Sequence, residues 1–310
     1  MIGAKLGNYT VLGIVGNGSL GTVYRAEGPH GHPVALKLVR SDVLCCMELR
    51  ERFLQTALVA SEIRHEGICP ILEIGDDNED LFVVMPIIDG ITLAEYLLEG
   101  PLPWPYAVDI SLKIGTALSI IHENKAVHRA LKPSNVWLLE EPSRVLISDC
   151  GIGRFTELPL KPRGRFSPLK ADIAAAIIPP ASLAYMSPEQ VRGDTVDFRT
   201  DIFSFGVLVY EMLSGRHPFE ARNSISRISA ILEAHPPSLI SRYGVIPLQL
   251  ESILLRAMAK DRDGRHQSMQ ELLVEMRSAR ETEISPRVRL NMHRGIRKWF
   301  FTKFRQHRWK

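Results

Sequence analysis

A glycine-rich segment near the N-terminus has the residue types that bind phosphate groups. Gly16, Gly18 and Gly21, followed by Val23, have the spacing G-x-G-x-x-G-x-V and lie between two runs typical of β-strands. Glycine lets the backbone approach phosphate oxygens closely. By itself the segment is equally compatible with an ordinary hairpin turn. Because a strand follows it rather than a helix, the segment does not fit a dinucleotide-binding fold.

A single lysine lies in the next predicted strand. Lys37 ends the run VALK, in which Ala35 and its neighbours are apolar. A buried ammonium group costs solvation free energy unless it contacts an anion, and the phosphates of a nucleotide are suitable anions. The alternative is an edge-strand lysine whose amino group reaches water. Together with the glycines, Lys37 favours phosphate binding.

Five later segments complete a pattern. They are His128–Asn135 (HRALKPSN), Ser148–Gly151 (SDCG), Tyr185–Glu189 (YMSPE), Asp201–Gly206 (DIFSFG) and Arg265 in KDRDGRHQS. In this order and at these separations the chain resembles a Ser/Thr protein kinase domain over roughly residues 8–278. Lys132, two residues after position 130, is the choice of Ser/Thr kinases, and the segments MSPEQVRG and DGITLAEYL are similar to bacterial members of the eukaryotic-like family.

The resemblance implies an α+β, bilobal fold. Residues 9–280 are expected to form the kinase-like domain, with a small antiparallel β-rich N-lobe over about 9–86 and a larger, mainly helical C-lobe over about 90–280. In the N-lobe, MELRERFLQTALVASEIRH predicts one main helix with Leu49, Phe53, Leu58 and Ile63 as its apolar positions. Residues 1–8 are expected to be an extension, and 281–310 a basic, aromatic-rich tail.

The resemblance also implies ATP and Mg²⁺ as ligands. Asn135 and Asp149 would hold Mg²⁺, Lys37 and Lys132 would contact phosphates, and Glu189 would pair with Arg265. The expected nucleotide-binding residues are Gly16, Gly18, Gly21, Val23, Ala35, Lys37, Met85 as gatekeeper, and Pro86 and Ile88 in the hinge. Proline is tolerable at 86 because the adenine amine needs only a carbonyl there, while Ile88 supplies an N–H.

The chain departs from the family at the catalytic position. The family carries an aspartate where this chain has Ala130, and that aspartate accepts the hydrogen bond of the substrate hydroxyl. A methyl group cannot do so, and no neighbouring carboxylate in the loop obviously replaces it. No catalytic base is therefore intact, and Lys132 remains as a phosphate or substrate contact.

The partner of Lys37 is altered as well. Counting back from His65, the helix glutamate of the family falls on Thr56. At 100° per residue, Glu48, Glu51 and Glu62 lie on other faces of the predicted helix. We therefore expect Lys37 to lack its usual helix partner.

Two further positions differ in size. Cys150 replaces the large apolar residue of the D-F-G turn, which predicts weaker packing against the helix. Trp137 replaces the medium aliphatic residue that floors the adenine pocket, and its ring either fills part of that pocket or turns into the lobe core.

The amino-acid composition limits which classes of protein fit this chain. Hydrophobic residues make up 45% of the 310 residues and charged residues 24%, which is typical of a globular protein and excludes a disordered or fibrous one. The four cysteines show no paired metal-ligand spacing. With no signal-peptide pattern and no apolar run long enough to span a bilayer, we expect a cytoplasmic protein.

Two segments suggest regulation. Residues 152–187 correspond to the activation segment, where Thr156, Ser167 and Ser182 are candidate phosphorylation sites for pairing with Arg129, although serines are ordinary in loops. Residues 286–310 hold nine of the 38 Lys and Arg and no acidic residue, with Ile296, Trp299, Phe300 and Phe304 interleaved. Such a tail suits an anionic membrane surface, giving peripheral association, or an ordinary solvated tail. A nucleic-acid contact is the least favoured alternative.

These features lead to three hypotheses. The first is a pseudokinase that binds ATP and acts as a signalling scaffold or allosteric regulator, with a protein partner or an active kinase. The second is an active Ser/Thr kinase with a non-standard base. The third is an interaction module that the tail tethers to a membrane.

Overall fold

Strands and helices are segregated along the chain. The computed structural model describes residues 1–18, 20–41, 46–77, 80–139, 144–152, 178–239 and 245–283, with side chains to 281. The N-terminal part is an antiparallel sheet with one long helix, and the C-terminal part is mainly helical. The predicted α+β, bilobal kinase-like fold is therefore confirmed.

The larger sheet has six strands in the order β1-β2-β3-β4-β6-β5, and every neighbouring pair is antiparallel. Its strands are β1 Lys5–Leu6, β2 Tyr9–Asn17, β3 Gly21–Glu27, β4 Pro33–Val39, β5 Glu73–Asp77 and β6 Asp80–Pro86. Residues 1–8, expected to be an extension, thus contribute edge strand β1, with Leu6 opposite Tyr9. Leu6 is buried in the sheet's outer core, so burial of this side chain explains the pairing.

The two faces of the sheet serve different purposes. On β4, Val34 and Leu36 pack in a core cluster that lies on one face and includes Phe82 of β6. The alternating residues Ala35 and Lys37 face the other way, toward the cleft between the lobes. This two-residue period is the normal geometry of a strand, and it places a lysine and an apolar core within one short segment.

Helix α1 (Met47–Glu62) lies beside this sheet. Its buried residues are Phe53, Ala57 and Ala60, which recur on one face at the helical period. Leu58, one of the apolar positions of the predicted helix, is 56% exposed because it lies about 140° around the helix from Phe53. Phe53, by contrast, is fully buried.

The C-terminal part is built around helices. They are α2 Leu93–Leu97, α3 Trp104–Glu123, α4 Pro180–Leu183, α5 Pro188–Arg192, α6 Arg199–Ser214, α7 Ser224–Glu233, α8 Leu248–Ala257 and α9 Met269–Glu283. Helix α6 is buried on nearly all sides, which makes it the centre of this part. Within the described ranges, no helix has both the length and the apolar character that crossing a bilayer requires.

A second sheet joins the two parts. Its strands are β7 Gly90–Thr92, β8 Val136–Leu139 and β9 Val145–Ile147, paired antiparallel in that order. Ile147 of β9 donates its N–H to Gly67 O at 2.9 Å and accepts from Cys69 N at 2.8 Å. Residues 67–69 come just after α1, so these bonds fix the N-terminal part beside the segment that carries Asp149.

A buried ion pair fixes the C-terminal part. Both terminal nitrogens of Arg265 donate to the carboxylate of Glu189, at 2.7 and 2.8 Å, and Arg265 is fully buried. The guanidinium also donates to the carbonyl oxygens of Ala259 and Arg199. The pair that the family resemblance implied is thus present, and its hydrogen bonds offset the cost of burying two charges.

Replacing Glu189 with glutamine tests this pair. We expect Glu189→Gln to lower the free energy of unfolding by about 3–5 kcal/mol, because it leaves the guanidinium of Arg265 buried without a counter-charge. Chemical denaturation followed by circular dichroism measures the change. The control is Arg256→Gln, since Arg256 is 40% exposed in its contacts with Glu271 and Glu275, and we expect a loss below about 1 kcal/mol. Equal losses of unfolding free energy in the two variants would contradict the conclusion that the buried pair of Glu189 and Arg265 stabilises the C-terminal part.

Candidate nucleotide-binding site

A cavity of about 340 Å³ lies between the two parts of the molecule. This volume is within the range of small-molecule sites. Twelve of the thirteen predicted site positions, counting Ala130 and Lys132, line it. They are Gly16, Gly18, Val23, Ala35, Lys37, Met85, Pro86, Ile88, Ala130, Lys132, Asn135 and Asp149. Gly21 is not among the lining residues.

Gly21 has a structural role. A Cβ atom at this position would lie 1.7 Å from the carbonyl oxygen of Leu38, because β3 and β4 approach closely there. Gly16 differs, since a Cβ there would meet no atom within 4 Å. The fold therefore requires glycine at 21, whereas at 16 glycine leaves open space beside the cavity. That Gly21 also contacts the nucleotide stays a prediction.

Lys37 forms an ion pair with Asp149. Its Nζ lies 2.7 Å from Asp149 Oδ1, and the two side chains are 6% and 19% exposed. Burial opposes ionisation of Asp149, yet the charge and hydrogen bond of Lys37, with a smaller contribution from Lys132, hold the pKa of this carboxyl below its ordinary value. Asp149 is thus a carboxylate at neutral pH.

Helix α1 supplies no carboxylate to this pair. Thr56 is the α1 residue nearest the turn after Asp149, since a Cβ at Gly151 would lie 3.2 Å from its Cγ2. Its hydroxyl donates back to the carbonyl of Arg52 at 2.9 Å. The glutamates at 48, 51 and 62 are exposed to solvent. Thr56 therefore lies beside the turn that follows Asp149, and its correspondence to the family's helix glutamate stays a prediction.

The loop at 128–135 is held by a buried carboxylate. Asp201, at the start of α6, accepts the backbone N–H groups of His128 and Arg129, both at 2.8 Å, and also contacts His122 Nε2 at 2.8 Å. Burial opposes its ionisation, but the hydrogen bond and charge of His122 lower its pKa. Arg129 has a φ of 63°, a backbone conformation that non-glycine residues rarely adopt without such support.

Ala130 lies on this loop at the cavity wall. Its carbonyl accepts a hydrogen bond from Asn135 Nδ2 at 2.9 Å, and its N–H points to His128 Nδ1 at 3.3 Å. Burial lowers the pKa of His128, and its other ring nitrogen contacts the Ser148 carbonyl at 3.0 Å, so this imidazole is engaged and neutral. The loop keeps its shape, and the position of the family's catalytic base carries a methyl group.

Two side chains are suited to a metal ion. Asn135 directs its amide nitrogen to Ala130, which leaves Oδ1 for a cation, and Asp149 is ionised. Among the residues that the structure describes, no group of three or more His, Cys, Asp or Glu could hold a metal on its own. The pair therefore fits Mg²⁺, which protein carboxylates and amides hold together with substrate phosphates and water.

Lys132 and Ser182 meet at the far end of the cavity. Lys132 Nζ donates to Ser182 Oγ at 3.1 Å, and Ser182 is only 8% exposed. The Ser182 hydroxyl thus lies beside Lys132 at the cavity wall, and its phosphorylation stays a prediction. Thr156, Ser167 and the basic tail lie outside the described residues.

Trp137 takes the first of its two predicted orientations. On β8 the side chains of Val136 and Leu138 are buried in the core, while Trp137 alternates to the opposite face and lines the cavity. Its Nε1 donates to Ser148 Oγ at 3.1 Å. The ring is therefore part of the floor where an adenine is expected. Cys150, by contrast, is 5% exposed and packs in the main core.

Sequence reasoning missed several cavity residues. Cys69, Ser148 and Tyr185 are among those that line the cavity although no role had been assigned to their side chains. Ser148 and Tyr185 belong to the motifs SDCG and YMSPE, so their position within these motifs could have indicated that they lie near the site. No sequence pattern pointed to Cys69, because only the pairing of residues 67–69 with β9 brings it to the site. Burial raises the pKa of the Cys69 thiol to about 12, so it is protonated at neutral pH.

Comparisons with known proteins agree with this geometry. The family model described as Protein kinase domain matches residues 9–283. Serine/threonine-protein kinase PrkC of Bacillus subtilis (strain 168) is 30% identical over 282 residues, covering 90% of this chain and 42% of PrkC. Serine/threonine-protein kinase pkn2 of Myxococcus xanthus is 34% identical over 278 residues, covering 86% of this chain and 32% of that protein. The chain thus spans less than half the length of these relatives.

A solved structure shows the same fold. The kinase domain of PknI from Mycobacterium tuberculosis superposes with a TM-score of 0.70 at 24% sequence identity, covering 90% of this chain and 98% of that one. At this level of identity the likeness concerns the fold.

Replacing Trp137 with leucine tests its place in the floor. We expect Trp137→Leu to tighten binding of a non-hydrolysable ATP analogue about tenfold, or ~1.4 kcal/mol, because the smaller side chain leaves more room for the base. Isothermal titration calorimetry measures the Kd. Trp104→Leu is the matched control, since Trp104 packs against the core on α3 and does not line the cavity. An unchanged or weaker affinity in Trp137→Leu would show that the ring does not restrict the base site.

Proposed function

The chain belongs to the protein kinase family, and on this premise we propose that it binds Mg-ATP but transfers the γ-phosphoryl group poorly, acting as a signalling scaffold or allosteric regulator. The observation that carries the proposal is Ala130 on an otherwise intact loop. General-base and positioning groups typically contribute a factor of about 10² to 10⁴ in rate, so their loss predicts a deficit of that size. Fold and loop shape are retained, so the expected deficit lies in catalysis.

The contacts of the cleft support nucleotide binding. Lys37 lies 2.7 Å from Asp149, which keeps Asp149 ionised and holds both side chains in place. A bound nucleotide offers phosphates to Lys37, and Mg²⁺ would be held by Asp149 and Asn135. The ion supplies neutralisation of phosphate charge. Gly16 borders open space beside the cavity, and Gly18, Met85, Pro86 and Ile88 line the cavity.

The alternative is an active kinase with a non-standard base. Its support is that the named relatives are serine/threonine-protein kinases. Against it, Asp149 is the one carboxylate among the described residues that line the cavity, and Lys37 engages it. His128 contacts the loop backbone through both ring nitrogens. Neither group is placed to accept a proton from a substrate hydroxyl, so we favour the impaired form.

Partners and location follow from this proposal. A domain that binds nucleotide without efficient transfer acts through contacts, so we propose protein partners, among them an active kinase. The basic, aromatic tail over residues 286–310 is proposed to add contact with an anionic membrane surface. Vesicle co-sedimentation with and without these residues tests the tail, and equal pelleting of both forms would remove this part of the proposal.

Restoring the carboxylate tests the catalytic deficit. We expect Ala130→Asp to raise phosphate transfer to a generic protein substrate by about 10² to 10⁴ over the wild type, because the loop already has the required shape. Radiolabelled phosphate transfer from Mg-ATP is the measurement. Ala130→Asn is the matched control, since it adds similar bulk without a base, and it is expected to gain little. Wild-type turnover of roughly 1–100 per second, abolished by Lys37→Met, would instead establish an active kinase.

A thermal-shift titration tests nucleotide binding. ATP with Mg²⁺ is expected to raise the Tm, since a ligand at 100 times its Kd adds about 2.7 kcal/mol to the stability of the folded state. The shift should shrink without Mg²⁺ and disappear in Lys37→Met, measured against that variant's own baseline. A Tm that does not respond to ATP would contradict nucleotide binding. The transfer assay would then test only the catalytic part of the proposal.

A further inference from the structure

The side chain of Trp137 joins two parts of the cavity. Its ring lines the cavity where the family resemblance places the base of a nucleotide. Its Nε1 donates a hydrogen bond to Ser148 Oγ at 3.1 Å. Ser148 directly precedes Asp149, one of the two residues suited to Mg²⁺. The aliphatic residue that the family has at position 137 carries no hydrogen-bond donor and could not make this contact.

Ser148 is held by contacts of its backbone and its side chain. Its N–H donates to Asn135 O at 2.9 Å, and its carbonyl oxygen contacts His128 Nε2 at 3.0 Å. Its hydroxyl accepts from Trp137 and donates to Asn135 O over a longer distance of 3.5 Å. Because Asn135 is the second residue suited to Mg²⁺, Ser148 connects both metal-binding residues. A group that fixes the Ser148 hydroxyl therefore acts on both.

Asp149 depends on such support. Its φ is 64°, a backbone conformation that residues other than glycine rarely adopt and that persists only where surrounding contacts determine it. Lys37 holds its carboxylate at 2.7 Å, and Ser148 holds the backbone that precedes it. Mg²⁺ demands near-ideal octahedral geometry at short distances, so a small shift of Asp149 weakens its binding. Loss of one contact to Ser148 should therefore be detectable as weaker binding of Mg²⁺ together with nucleotide.

The indole ring is the contact of Ser148 that a bound base would touch. Contact of a base with the ring limits the movement of Trp137, and a fixed indole N–H fixes the Ser148 hydroxyl. Conversely, Asn135 and Asp149 lose freedom of movement when they hold an ion, which fixes Ser148 and with it the ring. Coupling of binding free energies is reciprocal. Base and ion are thus expected to strengthen each other's binding.

We propose that Trp137 is a positioning residue that couples the base site to the metal site through its hydrogen bond to Ser148. The inference rests on the proposed function, because it needs a nucleotide and Mg²⁺ in the cavity. It deepens that function by assigning part of the Mg²⁺ dependence of nucleotide binding to a floor residue. Any gain in affinity from a smaller side chain at position 137 is therefore accompanied by a weaker dependence on Mg²⁺.

Isothermal titration calorimetry of Trp137→Phe tests the coupling. Phenylalanine keeps an aromatic ring in the floor but has no N–H. The Kd of a non-hydrolysable ATP analogue is measured with excess Mg²⁺ and with EDTA, and the ratio of the two values is the Mg²⁺ effect. We expect the Mg²⁺ effect to be about threefold to tenfold smaller than in the wild type, the size that loss of one ordinary hydrogen bond allows. An unchanged Mg²⁺ effect would overturn the inference.

Variants of Ser148 test the other partner of the hydrogen bond. Ser148→Ala should reduce the Mg²⁺ effect as much as Trp137→Phe does, and the double variant should reduce it no further. Ser148→Thr keeps a hydroxyl and should keep most of the Mg²⁺ effect. Additive reductions in the double variant would show that the two side chains act independently, which would refute the coupling.

Two controls separate positioning from other effects. Trp104→Phe is matched to Trp137→Phe, because Trp104 packs against the core and does not line the cavity, and it should keep the wild-type Mg²⁺ effect. An equal reduction in this variant would refute the assignment to Trp137. Adenosine has no phosphates, so its Kd in Trp137→Phe reports the base contact alone. The affinity lost by the analogue with Mg²⁺ should exceed the affinity lost by adenosine about threefold or more, and equal losses would overturn the inference.

The wild type distinguishes failure of this inference from failure of the proposed function. Circular dichroism shows that each variant is folded. A wild type that does not bind the analogue would refute nucleotide binding and this inference together. A wild type that binds the analogue more tightly with Mg²⁺, beside a folded Trp137→Phe with the same Mg²⁺ effect, would refute this inference alone.

Discussion

The buried carboxylate of Asp201 is the interaction on which the rest of the site depends. It accepts two backbone N–H groups from the loop at 128–135 and contacts His122, so one group satisfies three polar neighbours in the interior. Without such a partner the positive φ of Arg129 would be strained and the buried N–H groups would lack acceptors. Because Asp201 belongs to helix α6, the loop is tied to the best-packed element of the C-terminal part. The position of Ala130 is therefore a property of the scaffold and does not require a catalytic side chain.

Charge balance explains how the cleft tolerates its substitutions. The sequence predicts Thr56 at the helix position where the family has a glutamate partner for this lysine, and in the structure Lys37 pairs with Asp149. A lysine that is only 5% exposed needs a counter-charge, and Asp149 supplies it without help from α1. The same pair keeps the metal-binding carboxylate ionised. Ala130, at the position where the sequence predicts the family's aspartate, adds no charge, so Asp149 is the one carboxylate among the described residues that line the cavity.

Much of the site was predictable from local patterns. The strand alternation of Ala35 and Lys37, the α+β order of elements and the pair between Glu189 and Arg265 all follow from motifs or from the two-residue and 3.6-residue periods. Other features were not predictable. Gly21 matched a phosphate-binding pattern, but the pattern did not show that the nearby Leu38 carbonyl leaves no room for a Cβ atom at this position. Leu58 matched an apolar pattern, yet the helix rotates it toward solvent.

The amino-acid sequence by itself determined the family, the order of the lobes and the identity of the missing catalytic group, because these depend on residue type and spacing along the chain. Only the tertiary structure decided which partner neutralises Lys37, which way Trp137 faces, and that Cys69 and Ser182 meet the cavity. Those outcomes depend on contacts between residues far apart in sequence. Lys37 and Asp149, for example, are 112 positions apart. Local patterns contain no information on which distant groups the packing of a core will bring together.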